Sequence, residues 1–262
     1  MAAFGDGGTA RKERAMDSRK HAQAEGMIES LLVPLDGSEV GERALPYARA
    51  LAQATGARVL LVRVVWEDPA QGDARSDAQA YLQQVAEELG RSGVIPQVEI
   101  LEGGAAESIS LEARRRGADL IVMTTHGRTG VGRWLYGSVA EGVLARARSP
   151  VMLVRGWTDE SMAPTEVATI LVPLDGTDFA EAALPLAREI ARMLPAKLVL
   201  FRVASARAQQ GAVLTETAPD TFRYSEAPEE VARLEAESYL QRIASDCGRH
   251  GVDAEVDVAL GD

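Results

Sequence analysis

The sequence predicts an α/β protein: a doubly wound parallel sheet with expected strand order 3-2-1-4-5, followed by a partial second copy. Three observations lead there. Short apolar runs without polar alternation, such as Leu120-Ile-Val-Met123, read as strands buried on both faces. Segments with apolar residues at helical spacing separate these runs, and such alternation implies a parallel sheet covered on both sides, for which right-handed crossovers make double winding the economical arrangement. The opening of the pattern also recurs later in the chain.

Taken in order, Leu31-Leu-Val-Pro-Leu35 is the first strand. Residues 41–54 read as one helix, with Leu45, Ala48, Leu51 and Ala52 on its buried stripe. Residues 59–65 form the second strand. A helix near 77–90, a strand near 97–101, a helix near 105–116 and the strand ending at Met123 follow. Ser138-Val-Ala-Glu141 has the Ser-x-x-Glu form of a capping box and starts a helix through Leu144. Residues 151–154 form the fifth strand.

The repeat is explicit. Val33-Pro-Leu-Asp36-Gly37 returns as Val172-Pro-Leu-Asp175-Gly176, and Arg63-Val64 as Arg202-Val203, at an offset of 139. Tyr81-Leu-Gln83 matches Tyr239-Leu-Gln241 at an offset of 158, so the second copy carries 19 extra residues between its second strand and second helix. Asp262 aligns with Gly104, which leaves residues 105–155 without a counterpart. The expected organisation is a disordered tail at 1–26, a complete domain at 27–155, a linker at 156–168, and a second copy at 169–262 truncated after its third strand.

The stretch from Met123 to Ser138 joins a buried strand to a helix through a glycine-rich loop. The first amides of a helix lack internal partners and carry the positive end of its dipole, so Gly137, with no Cβ, lets an anion approach closely. In a doubly wound sheet of this order, ligands sit at the carboxyl ends of the first and fourth strands, where the winding reverses. Asp36-Gly37-Ser38 ends the first and the glycine loop ends the fourth. Asp36 is read either as a turn former or as a ligand contact. Its equivalent Asp175 is present where no glycine loop exists, which favours the turn.

Val-Pro-Leu-Asp-Gly-Ser, Thr-His-Gly-Arg, Gly-Ser-Val-Ala-Glu and Ser-Pro-Val, arriving in this order, resemble the universal stress protein family. The resemblance covers nearly the whole chain from Met27, as a tandem form with an incomplete second domain. The family's G-x2-G-x9-G-[ST] motif is matched by Gly127, Gly137 and Ser138, whereas its first glycine falls on Thr124. The resemblance implies a Rossmann-like fold and an adenine nucleotide, ATP or else ADP or AMP, with or without Mg²⁺. It places the base near Leu35 and Val64, with Asp36 close to the base and ribose and Met123 nearby. Gly127, Arg128, Ser138 and Val139 would meet the phosphates beside Gly137. Thr124 adds a Cβ and a methyl where the family has neither.

Other chemistry finds little support. His21, His126 and His250 have no metal-site spacing. Cys247 aligns with Leu89 and reads as a small buried hydrophobe, and a single cysteine fits a reducing compartment. Ser138 lacks the partners and the elbow of a catalytic serine. Trp134 and Tyr136 read as loop anchors or interface residues. With no assigned general base, metal set or transition-state arginine, ATP hydrolysis is at most slow and no catalytic residue is assigned.

The 262 residues carry a net charge of −11, which argues against nucleic acid and anionic membranes, and no apolar run approaches the roughly 20 residues of a membrane span. Residues 1–26 hold five basic and four acidic side chains and no secretory apolar centre. The chain is expected to be cytoplasmic, with Met27 as its natural start. The unmatched edge strand near 170–174 leads to the expectation of a homodimer or domain pairing through edge strands, or of a longer parent chain of about 310 residues. The functional expectation is an adenine-nucleotide-binding stress-response or regulatory protein with one site in the first domain. The alternative is a non-nucleotide scaffold acting through dimerisation and protein contacts. An adenylating or phosphoryl-transfer enzyme ranks third, since Pro-Leu-Asp-Gly-Ser lacks a Ser-Gly-Gly phosphate loop.

Overall fold

The computed structural model describes residues 28–66, 74–125, 137–155, 167–205 and 228–261. These divide into two units, one within Met27–Glu166 and one within Val167–Asp262. The expected tail, the insertion in the second copy and all but two residues of the expected linker lie outside the described residues.

In the first unit β1 (Ser30–Pro34), α1 (Glu39–Glu42), α2 (Leu45–Thr55), β2 (Arg58–Val65), α3 (Ala74–Arg91), β3 (Gln97–Glu102), α4 (Ala105–Arg116), β4 (Leu120–Thr124), α5 (Ser138–Leu144) and β5 (Val151–Val154) follow one another. Every ladder is parallel and the order is β3-β2-β1-β4-β5, as the sequence predicts. Side chains alternate across the sheet. Leu31, Val33, Val59 and Leu61 lie under α2 and α3, whereas Leu32, Leu60, Val62, Ile121 and Met123 pack against Ile109 and Ala113 of α4 and Ala140 and Val143 of α5.

Residues 41–54 are not one helix. The single turn α1 stops at Glu42, and α2 starts at Leu45 with Pro46 in its first turn. A proline inside a continuous helix would lack its N–H and clash with the carbonyl four residues back, here Glu42; at a helix start it costs nothing. The apolar stripe survives the break because Ala48, Leu51 and Ala52 belong to α2.

A charged network ties α4 to β3. The buried Glu112 accepts from Arg115 Nη2 at 2.6 Å and Arg116 Nε at 2.8 Å, and both arginines also bond Glu99. Burial alone would raise the Glu112 pKa, but the arginine hydrogen bonds outweigh it and hold the carboxyl below its ordinary 4.5. A depressed folded pKa adds stability that is present above the unfolded value and lost as pH falls through the folded one. Glu112→Gln is therefore expected to be less stable at pH 7 by about 1 kcal/mol, a modest figure because the arginines are solvent-screened. Urea titrations should show this gap closing as the pH drops below about 4.5; a gap constant from pH 7 to pH 3 would assign the effect to packing.

The second unit contains β6 (Thr169–Pro173), α6 (Asp178–Glu181), α7 (Leu184–Met193), β7 (Lys197–Ala204), α8 (Pro228–Arg249) and β8 (Ala254–Leu260). Its sheet is parallel with order β6-β7-β8, so β6 is an edge strand where its counterpart β1 is central. One face carries the core, with Val172, Leu198 and Leu200 packed on Leu184, Ala187, Leu240 and Cys247. Cys247 is fully buried, and that burial pushes its thiol pKa up.

Candidate functional site

The strands that flank the winding reversal are clamped at one end and splayed at the other. At the amino end, Ser30 Oγ donates to Asp119 Oδ2 at 2.8 Å, the Glu29 N–H donates to the same oxygen at 3.1 Å, and the Asp119 N–H reaches Ser30 O at 3.1 Å. Pairing then runs through Leu31–Leu120 and Leu32–Ile121 and stops, although β1 pairs with β2 as far as Pro34. The Leu35 N–H donates to Val62 O at 2.8 Å, so alternation along a parallel strand turns the Pro34 nitrogen towards β4. Proline has no donor to offer there. This residue is present in the sequence motif, and its effect on the ladder is the signal that the sequence reading missed.

The resulting crevice is a cavity of about 250 Å³ at the carboxyl ends of the strands. It brings together seven of the nine residues expected from the sequence: Leu35, Asp36, Val64, Met123, Gly137, Ser138 and Val139. Gly127 and Arg128 lie outside the described residues, as do His126, Trp134 and Tyr136. Ala105 and Ile109 of α4 complete a wall that the sequence reading did not include. Their spacing of four places them on one helix face, which was readable as apolar but not as ligand-facing. Thr124 and Thr125 are buried in the lining.

The loop after β1 is held by its own side chains. Asp36 Oδ1 accepts from the Ser38 N–H at 3.0 Å and from Ser38 Oγ at 2.6 Å, and Ser38 Oγ caps α1 by accepting from the Gly41 N–H at 3.0 Å. A Cβ at Gly41 would lie 2.6 Å from Asp36 Oδ1, so the turn needs glycine there. Gly37, at φ 80°, rests on the Arg63 guanidinium, which stacks 5.0 Å above the Tyr81 ring. Tyr81 donates its hydroxyl to Glu42 at 2.9 Å, and burial followed by that bond raises the phenol pKa above its ordinary 10.0.

The second unit repeats this assembly: Asp175 accepts from Thr177 N–H and Oγ1, Arg202 stacks 4.9 Å over Tyr239, and Tyr239 donates to Glu181 at 2.8 Å. The Tyr239 pKa is pushed up to about 12 by burial and then by Glu181. The turn-forming role of Asp36 is thus visible in both units, and in the first Asp36 also lines the cavity.

Across the crevice, Ser138–Glu141 is not a capping box. The N-cap of α5 is Gly137, at φ −74° and ψ 156°, and no side chain caps the helix. The Gly137 N–H donates to Thr125 O at 2.7 Å, which fixes the extended backbone one residue before the expected start and makes Ser138 the first helical residue. The helix seats directly on α4, since a Cβ at Gly142 would fall 2.6 Å from Ala106 Cβ. Asp36 is the one ionisable side chain among the described lining residues. Such walls, largely apolar with a few placed polar groups, are suited to binding.

The universal stress protein family model matches residues 27–155. A universal stress protein of Methanocaldococcus jannaschii is 35% identical over 143 residues, covering 50% of this chain and 84% of the relative. The chain belongs to the universal stress protein family. A second universal stress protein, from Thermus aquaticus, is 37% identical over 138 residues, covering 49% of this chain and all of the relative. The crystal structure of a universal stress protein from Archaeoglobus fulgidus DSM 4304 is similar in fold, with TM-score 0.65 and 18% identity over 90% of this chain and 79% of that one. Among the described residues, no helix is long and apolar enough to cross a membrane.

Proposed function

We propose that the first unit binds one adenine nucleotide in the crevice between β1 and β4, and that occupancy of this site regulates association in a stress response. The observation that carries the reading is the cavity at the winding reversal, where the end of β1, the end of β4 and the start of α5 meet. Leu35, Val64 and Met123 supply an apolar wall for the base, and Asp36 is the polar group beside it. Gly137, Ser138 and Val139, at a helix start with no side-chain cap, supply the phosphate end together with Gly127 and Arg128. ATP, ADP and AMP share these requirements, and a Mg²⁺ ion would accompany the phosphates rather than occupy a protein site.

We read the second unit, whose described sheet has three parallel strands, as a repeat of the opening pattern of the first and assign the nucleotide to the first unit alone. The nucleotide reading is tested by calorimetric titration of nucleotide-stripped protein with ATP and Mg²⁺. The expected result is saturable binding with one equivalent per chain. No heat of binding from folded protein would remove the nucleotide from the account.

A further inference from the structure

The loop that brings Asp36 to the cavity is gripped from the far side of the sheet. Side chains of β2 alternate between faces, so Val64 lines the cavity while its neighbour Arg63 reaches the opposite layer and stacks over Tyr81 of α3. A Cβ at Gly37 would stand 3.0 Å from Arg63 Nη1 and 3.1 Å from both Cζ and Nη2. Near-equal distances to three atoms of one plane mean that the guanidinium turns its flat face to the Gly37 backbone. Arg63 thereby links the loop to α3.

The contacts close into a ring. Tyr81 donates to Glu42 of α1, Ser38 Oγ caps α1 through the Gly41 N–H, and the same hydroxyl donates to Asp36 Oδ1. Gly37 follows Asp36 and returns the ring to Arg63. Glu42, Arg63 and Tyr81 do not line the cavity, whereas Asp36 does. A glycine at φ 80° has no side chain to anchor it, so without a surface to rest on it would let the adjoining carboxylate swing. The guanidinium plane is that surface. The second unit builds the same ring from Asp175, Thr177, Glu181, Arg202 and Tyr239, with Gly176 at φ 90° against Arg202, and so supplies an internal control.

We propose, on the nucleotide reading above, that Arg63 is a positioning residue: it touches no ligand and sets the affinity for the adenosine moiety by holding Gly37, and with it Asp36, at the cavity wall. Its influence falls on the base and ribose end of the crevice. The phosphate end, at Gly137–Val139 across the crevice, is independent of it.

The test is calorimetric titration of the full chain with adenosine and, separately, with ATP and Mg²⁺, with urea unfolding in parallel. Arg63→Met keeps the aliphatic stem and loses the planar cation; it is expected to weaken both ligands by the same factor, about tenfold. Arg63→Lys restores a cation over Tyr81 without the flat face, and is expected to recover stability but not affinity. If Arg63→Met is unfolded at the titration temperature, Arg63→Lys alone decides the affinity comparison. Arg202→Met should destabilise the second unit and leave both affinities unchanged. Asp36→Asn retains an oxygen for Ser38 and removes the carboxylate, and in that background Arg63→Met should cost no further affinity, because the two act as one unit. Unchanged adenosine affinity in the Arg63 variants, recovery of affinity together with stability in Arg63→Lys, or additive losses with Asp36→Asn overturns the positioning role and leaves the nucleotide site standing. A parent chain that binds neither adenosine nor ATP removes the nucleotide reading, and the role of Arg63 with it.

Discussion

Replacing Gly137 by valine is expected to weaken adenine-nucleotide binding by on the order of 100-fold while lowering stability only by the loss of a favoured N-cap residue, about 1 kcal/mol or less. The separation of the two effects follows from geometry. Gly137 sits at φ −74° and ψ 156°, a conformation open to any residue, and the N–H that bonds Thr125 is retained. No backbone strain is introduced. What changes is the space at a cavity-lining residue beside the first amides of α5, where a phosphate would need close approach. Titration of ATP into parent and variant, with melting measured in parallel, reads both quantities. Undiminished affinity in the variant would place the phosphates away from α5.

The second large effect concerns the centre of the first sheet. Leu61 is fully buried in β2, opposite Val33 of β1 and beneath the layer formed by α2 and α3. Leu61→Ala removes the side chain from a site walled by strands on both sides, where collapse into the gap is difficult. The expected destabilisation is about 3–5 kcal/mol, the upper part of the range for such truncations. In urea this should appear as an early transition of the first unit. A loss below about 1 kcal/mol would mean that the helices settle onto the sheet and refill the space.

The architecture of the first unit was readable because its determinants are local. Apolar runs such as Leu120-Ile-Val-Met123 carry no alternation and are too short for a helix, which reads as buried strand, while Asp36-Gly37 marks where the chain leaves β1 and Gly137 where it enters α5. The repeat made the second sheet readable in the same way. What failed were readings of local patterns decided by distant partners. Ser-x-x-Glu has the form of a capping box, yet Thr125, from the end of another strand, captures the Gly137 amide and moves the cap. Likewise, Ala105 and Ile109 announce an apolar helix face, but only the packing of α4 beside α5 turns part of that face into a cavity wall. Pro46 was legible in principle, since its missing donor forbids the continuous helix that the apolar stripe suggests.

The proline that shortens the β1–β4 ladder has a twin whose setting is reversed. Pro173 closes β6, and because the Leu174 N–H donates inward to Phe201 O, alternation turns the Pro173 nitrogen outward, along the unpaired rim of the second sheet. There it deprives any arriving strand of one main-chain donor, which is the way natural sheets blunt their rims against runaway end-to-end growth. One residue type at one repeat position thus lines a cavity in one unit and withholds a donor from a strand edge that is unpaired among the described residues in the other. A chain with an aliphatic residue at 173 would gain a ladder hydrogen bond for any stray strand and, with it, a seed for aggregation.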